Sequence, residues 1–152
     1  MKIYAFIICC CITSITATVN AQNEKREVLA VTQQFFNALE KGDTATFRSL
    51  FLEDARNYFV QEKDANIRAG SRSPESFKFD KDRIIKERFL QDGVEIMIRN
   101  RIAIVWGSYN LWINDKFSHC GVDAFTLLKT DQGWKISSLS YSMETEGCNV
   151  KN

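Results

Sequence analysis

The stretch that decides the fold is residues 94–143, VEIMIRNRIAIVWGSYNLWINDKFSHCGVDAFTLLKTDQGWKISSLSYSM. Its apolar residues recur at every second position, as in Val94, Ile96 and Ile98, which is typical of strands with one buried face. Polar turn residues interrupt the alternation three times, at 99–101, 114–116 and 131–133. The pattern therefore predicts four antiparallel strands in meander order, joined by hairpin turns.

Two helices are predicted before these strands. Residues 24–41 have apolar side chains at helical spacing, and Gly42 provides a C-terminal stop. A shorter helix capped by Asp43 or Thr44 is predicted to end at residues 54–55. Helices followed by a curved antiparallel sheet indicate an α+β fold in which the helices cover the concave face.

The segment between the helices and the sheet is less regular. Residues 56–60 favour a short strand, whereas residues 61–76 are polar, contain glycine, serine and proline, and predict a loop. Residues 77–90 have neither helical nor strand periodicity, so the sequence leaves them unassigned.

Length and composition limit the classes of protein that remain. The chain has 152 residues, enough for one domain, and its 45% hydrophobic and 26% charged residues exclude a disordered protein. Its 20 basic and 19 acidic side chains give no excess charge for a polyanion. We therefore expect no nucleic-acid partner.

The first 21 residues are predicted to be a signal peptide. Lys2 precedes an apolar run over residues 3–15, and residues 19–21 (Val-Asn-Ala) form a small-residue cleavage signature. The apolar run is shorter than the ~20 residues that span a bilayer, so we expect no stable membrane insertion. The sequence predicts a periplasmic or secreted protein with one domain over residues 22–152; a lipid anchor on Cys9, Cys10 or Cys11 is the alternative.

Cleavage would leave two cysteines, Cys120 and Cys148. In an oxidising compartment a disulfide is favoured, with two buried thiols as the alternative. An ideal hairpin sets Cys120 opposite Glu144, so the chain must fold back for the bridge to form. Gly147 permits this reversal because glycine adopts positive φ without strain.

Three segments resemble a known superfamily: FFNALEKGDTATFRSLFLEDA (35–55), AIVWGSYNLWINDKFSHCGVDAF (103–125) and LLKTDQGWKI (127–136). They are similar to nuclear transport factor 2-like (SnoaL-like) proteins, in particular to the exported bacterial branch labelled putative lumazine-binding. The resemblance implies a cone-shaped, cystatin-like α+β fold with one internal pocket, often dimeric. It implies no single reaction, because the superfamily includes isomerase-like, dehydratase-like, hydrolase-like and cyclase-like enzymes as well as non-catalytic members.

Polar candidates for the pocket come from two places in the chain. His119, the only histidine, shares a strand face with Asp123, about 13–14 Å away by strand rise. His119 can act as a general acid or base; the alternative is a histidine that hydrogen-bonds a buried partner. In enzymes of the superfamily the segment after the second helix supplies an acid or tyrosine, which implies Asp54 and Tyr58 here, with a plain turn residue as the alternative for Asp54.

An aromatic wall able to stack a flat ring is the third candidate feature. Trp106, Tyr109 and Trp112 crowd one strand, and Phe125 and Tyr141 lie on later strands. The alternative is that these rings simply fill the core, which we favour for Trp106, while Trp112 is assigned to the pocket or a dimer surface. The predicted ligand-binding set is Tyr58, Trp106, Tyr109, Trp112, His119, Asp123 and Phe125.

Two main function classes remain open. The sequence has one histidine, no C-x-x-C and no phosphate-binding glycine loop, so we expect neither a metal nor a cofactor. The favoured function is binding of a small apolar or aromatic molecule. The alternatives are a cofactor-independent lyase, isomerase or hydrolase using His119 with a carboxylate or tyrosine, and a non-catalytic structural or interaction protein. A homodimer through the outer sheet face is expected, because apolar residues there need cover.

Overall fold

The computed structural model of the protein describes residues 4–63, 66–90 and 93–150, with side chains for residues 21–62, 66–90 and 93–150. Helix α1 spans Tyr4–Lys41 and helix α2 spans Thr44–Ser49. The predicted signal peptide falls partly on residues 1–3 and on side chains 4–20, outside what is described.

The end of α1 and the start of α2 are as predicted, whereas α1 begins at Tyr4 and not at residue 24. Gly42 follows α1 with φ +65°, and the Asp43 side chain accepts a hydrogen bond from the Thr46 backbone N–H as N-cap of α2. The predicted end of α2 at residues 54–55 is wrong, because the chain is already extended at Phe51. Phe51 pairs with Ile136 on the last strand, a distant partner that local periodicity does not reveal.

Seven strands form one curved sheet. They are β1 (Phe51–Lys63), β2 (Asn66–Arg72), β3 (Ile85–Phe89), β4 (Glu95–Arg99), β5 (Ile102–Ile113), β6 (Lys116–Thr130) and β7 (Gly133–Met143). Their order is β2-β1-β7-β6-β5-β3, with β4 also paired to β5. The predicted meander β4-β5-β6-β7 is confirmed, but the sheet is mixed, because β1 runs parallel to β7.

The predicted loop over residues 61–76 is wrong in its first half. There β1 and β2 form an antiparallel hairpin, followed by a short 3-10 turn at Pro74–Ser76. Every residue of β2 is exposed, so the strand has no buried face to produce an alternating pattern. β3 accounts for part of the segment that the sequence leaves unassigned.

The core lies between α1, α2 and the concave sheet face, which confirms the α+β arrangement. Phe35 of α1 packs edge-to-face on Phe125 of β6, with ring centroids 5.2 Å apart. On β5 the inward residues include Ala103 and Val105, both fully buried, and Tyr109. The prediction of Trp106 as core is wrong: it is 48% exposed on the outer face, because it follows the inward-facing Val105 and successive strand residues point to opposite faces.

The C-terminal tail is joined to the sheet. Cys120 lies opposite Glu144, Gly147 has φ +70°, and a disulfide connects Cys120 to Cys148, with Cα atoms 5.7 Å apart. The Asn110 side-chain amide donates to the Asn149 carbonyl at 3.1 Å and so fixes the tail further. Among the described residues, no helix combines the length and apolarity needed to cross a membrane.

Candidate ligand-binding site

A cavity of about 240 Å³, partly open to solvent, lies between the helices and the concave sheet face. This volume is slightly below the ~300–1,000 Å³ of pockets for drug-sized ligands, which limits an occupant to one or two rings. One part of the wall is apolar and mainly aromatic, and it consists of Phe35, Leu39, Phe47, Phe77 and Leu139.

The polar part of the wall comes from alternate positions on five strands. Successive strand residues point to opposite faces, so one side chain in two reaches the cavity. The polar lining residues on the strands are Asn57 of β1, Glu87 of β3, Tyr109 of β5, His119 and Asp123 of β6, and Tyr141 of β7.

Two acidic side chains, Glu87 and Asp123, meet in this wall, and only 7% and 1% of their surfaces are exposed. Burial raises the pKa of Glu87 to about 7, against the lowering effects of a hydrogen bond with Asp123 and the charge of Arg88. Burial, the Glu87 charge and the hydrogen bond to Glu87 raise the pKa of Asp123 well above its ordinary value. Two carboxyls can hydrogen-bond only when one is protonated, so the pair shares a proton with Asp123 as donor.

Buried acceptors in this wall lack donors. No N–H group or hydroxyl in the described part of the chain donates to Asp123, so its carboxyl oxygen that does not hold the shared proton is an acceptor without a donor. The side-chain oxygen of Asn57, a residue only 6% exposed, is likewise without a donor. Leaving a buried acceptor unsatisfied costs about 1–3 kcal/mol. Both side chains line the cavity, so a molecule there with N–H or O–H groups can satisfy them.

His119 lies half-buried at one side of the cavity. Its Nδ1 is 3.0 Å from the Ser118 hydroxyl, and its ring meets the Tyr109 ring edge-on, with centroids 5.9 Å apart. Burial and the nearby Arg83 charge lower the pKa of His119. The histidine is therefore neutral at pH 7 and has hydrogen-bonding capacity without a charge.

Tyr109 is a fixed part of the wall. Its hydroxyl donates to the Ser142 carbonyl at 2.7 Å, and burial together with the nearby carboxylates raises its pKa. Gly121 lies beneath its ring: a Cβ built there would be 2.1 Å from the Ser142 carbonyl oxygen and 2.9 Å from the Tyr109 ring. Glycine at this position therefore permits the close packing of Tyr109 on β6.

Two arginines complete the lining. Arg72 ends β2 and pairs with Asn57 in the sheet register, and Arg83 precedes β3. Both side chains are exposed to solvent. The guanidinium of Arg72 stacks on the Phe59 ring, 5.0 Å from its centroid.

The structure brings together only some of the sequence-predicted residues. Of the predicted ligand-binding set, Tyr109, His119 and Asp123 line the cavity. Asp54 is exposed, and Tyr58, 48% exposed, faces away, because the alternation of β1 turns Asn57 inward instead.

The other aromatic predictions fall elsewhere. Trp106 lies outside with Tyr58, along a shallow groove on the outer sheet face. Phe125 is fully buried in the core. The ring of Trp112 packs against the ring of Phe117, with centroids 6.2 Å apart. None of these rings is part of the cavity wall.

Sequence reasoning missed Glu87 and Asn57. The alternation of Ile85, Glu87 and Phe89 with Lys86 and Arg88 was the one available signal, and it places a glutamate on the apolar face of a short strand. Within the described ranges, no group of three or more His, Cys, Asp or Glu side chains is placed to hold a metal ion.

Comparison with known proteins gives a family match and a fold match. A family model described as putative lumazine-binding matches residues 23–142. No curated protein matches the chain.

Several solved structures share the fold. A putative dehydratase of the nuclear transport factor 2-like family from Streptomyces avermitilis has a TM-score of 0.59 at 17% identity, covering 81% of this chain and 97% of its own. A nuclear transport factor 2-like protein with a cystatin-like fold from Novosphingobium aromaticivorans has a TM-score of 0.61 at 12% identity, covering 90% and 91%. The β subunit of a putative aromatic-ring-hydroxylating dioxygenase from the same organism has a TM-score of 0.63 at 10% identity, covering 86% and 94%.

Proposed function

The chain belongs to the putative lumazine-binding family of nuclear transport factor 2-like proteins, and we propose that it binds a small, flat ring molecule in its cavity. The ligand donates hydrogen bonds from ring N–H or O–H groups to Asp123 and Asn57. The apolar and aromatic part of the wall packs against its faces.

The unsatisfied acceptors of Asp123 and Asn57 carry this proposal. A cavity that serves only as a packing defect is normally apolar. Here two side chains that line one cavity, 1% and 6% exposed, have acceptors without donors, which is typical of a ligand site with a few convergent polar groups.

Lumazine, named in the family description, has the chemistry that such a site requires. It is a flat, fused two-ring molecule with N–H donors and carbonyl acceptors. Its donors suit Asp123 and Asn57, and its acceptors suit the protonated form of a carboxyl or the side-chain amide of Asn57.

Isothermal titration calorimetry with lumazine tests the proposal, using the chain from Gln22. Asp123→Leu should weaken binding up to about tenfold, since a hydrogen bond between neutral groups contributes about 0.5–1.5 kcal/mol. Asp54→Leu is the matched control and should bind like wild type, because Asp54 is exposed outside the cavity. Absence of binding to wild type, or equal affinities for wild type and Asp123→Leu, would contradict the proposal.

A second candidate is a cofactor-independent isomerase or lyase. It is favoured by Glu87, whose pKa of about 7 suits a general base at neutral pH and whose carboxyl lines the cavity. Glu87 would remove a proton from carbon next to a carbonyl group of the substrate, and His119 or Tyr141 would hydrogen-bond the substrate oxygen. Exchange of the α-hydrogens of cyclohexanone for deuterium in D2O, followed as loss of their NMR signals, tests this candidate. Exchange with wild type but not with Glu87→Gln would support it. Exchange no faster than in buffer alone would refute it.

We propose further that the protein is exported and its first 21 residues removed. The sequence of that segment and the Cys120–Cys148 disulfide support this, since disulfides persist in oxidising compartments. Mass analysis of the periplasmic and culture fractions should find Gln22 as the first residue. A full-length, membrane-retained product would contradict export with cleavage.

A homodimer through the outer sheet face is proposed as well. Trp106, Tyr58 and Val60 are 48%, 48% and 41% exposed there, beside a shallow groove. Burying such a patch against a second copy would remove these apolar surfaces from water.

A further inference from the structure

The ligand of this cavity, we propose, is an acid: a flat ring molecule with a carboxylate that binds Arg72 and Arg83, while its ring donors reach Asp123 and Asn57. The inference rests on the proposed function and adds the chemical class of the ligand. It follows from the positions of the two arginines, from the charges of the lining residues, and from the lack of an ion-pair partner for either arginine within the described chain.

Arg83 lies along one strip of the polar wall with Glu87. Arg83, Ile85 and Glu87 are at alternate positions and all line the cavity. Arg83 is four positions before Glu87 and precedes the start of β3 at Ile85, so about 13 Å is the longest separation of their Cα atoms. Arg83 is close enough to His119 for its charge to affect that ring. A ligand of one or two rings with an acidic substituent can therefore contact both ends.

Arg72 approaches from the opposite wall. It pairs with Asn57 across β1 and β2, so its side chain starts beside one of the two unsatisfied acceptors. Stacking on Phe59 holds the guanidinium plane and leaves its N–H edge for hydrogen bonding.

The lining charges do not balance. The lining residues that carry charge at pH 7 are the two arginines and the acid pair, because His119 is neutral. Glu87 and Asp123 share a proton and so hold at most one negative charge between them. Two guanidinium charges face that carboxylate charge, and at least one positive charge is left for an anionic ligand to match.

Both arginines are also available. Within the described chain, neither Arg72 nor Arg83 has a carboxylate within ion-pair distance, whereas Arg48 and Arg88 pair with Glu75 and Glu40. Arginine binds carboxylates through two parallel hydrogen bonds, which gives orientation as well as affinity. The pair at the mouth would therefore orient an acid with its ring inward.

The test compares lumazine with lumazine-6-carboxylate by isothermal titration calorimetry at low ionic strength. We expect the carboxylate to bind about tenfold more tightly than lumazine to wild type. This advantage is modest because the arginine side chains are exposed to solvent, and added salt should reduce it. Arg83→Gln and Arg72→Gln should each reduce that advantage, and the double variant should abolish it, with the advantage measured in every variant as the ratio of its own two affinities. Arg99→Gln, an exposed arginine on β4, is the matched control and should retain it.

Three other results overturn the inference, and they are distinguishable. Equal affinities of wild type for the two compounds would refute the acidic ligand and leave the ring site intact. An advantage that survives in the double variant would refute the role of Arg72 and Arg83. Binding of neither compound would refute the proposed function, and this inference with it.

Discussion

The pH dependence of stability provides a direct test of the buried acid pair. The perturbation is Glu87→Gln, which keeps the shape of the side chain and its hydrogen bond to Asp123 but removes its titration. The wild-type carboxyl has its pKa raised from 4.5 to about 7 by burial. Unfolding exposes it to water and returns it to its ordinary value.

The sign and size of the effect follow from linkage. Between pH 4.5 and 7 the folded protein keeps a proton on Glu87 that the unfolded chain releases. The free energy of unfolding of the wild type therefore falls as pH rises through this window. Each pK unit corresponds to about 1.4 kcal/mol, so the loss amounts to about 3 kcal/mol by pH 8.

Urea unfolding at pH 5, 6, 7 and 8 measures this loss. Glu87→Gln should match wild type near pH 5 and exceed it by up to about 3 kcal/mol at pH 8. Glu95→Gln makes the same chemical change at an exposed strand position and should follow the wild-type curve. Parallel curves for wild type and Glu87→Gln across this range would refute the assignment of a raised pKa to Glu87.

Three further predictions concern packing, the disulfide and association. Gly121→Ala should destabilise by about 3 kcal/mol or more in urea unfolding, since its Cβ would lie 2.1 Å from a backbone oxygen. Gly107→Ala should cost less because its Cβ would meet side chains only, the Phe89 ring at 2.9 Å and Val94 at 3.3 Å, and a neutral Gly121→Ala would contradict the packing. Cys148→Ser should lose about 3–4 kcal/mol for a closed loop of 28 residues, and two reactive thiols per unfolded, unreduced chain that begins at Gln22 would show that no bridge exists. Trp106→Glu should convert a dimer to a monomer in light scattering at tens of micromolar, and a wild-type monomer would exclude the proposed dimer.

The elements predicted well from sequence are those with a buried face of regular period. The helix over residues 24–41 and the strands β4 to β7 each alternate apolar and polar residues at their own period. β2 lacks such a face, and the parallel pairing of β1 with β7 joins residues about 80 positions apart. Local patterns do not reveal that distant pairing, so they do not predict that α2 ends before Phe51. They do not predict the hairpin β1–β2 either, because β2 has no buried face.

The site was predictable only in part for the same reason. His119 and Asp123 share a strand face in the sequence, and both line the cavity. Glu87 belongs to β3, two positions away in sheet order from β6 with Asp123, and the meeting of the two carboxyls depends on sheet curvature. Trp106 falls on the outer face because Ala103 and Val105 of the same strand point inward, and the alternation of Trp106 with Val105 alone does not tell which face is covered by the helices.

The central claim, a ring-binding cavity anchored by Asp123 and Asn57, is tested most directly by NMR with ¹⁵N-labelled protein titrated with lumazine. The Asn57 side-chain amide reports on the cavity, and the Trp106 indole N–H reports on the outer groove. We predict that saturation shifts the Asn57 signals and leaves the Trp106 signal unchanged, and that Asp123→Leu removes the response. A titration that shifts Trp106 and leaves Asn57 unchanged, or one that shifts neither, would contradict the account.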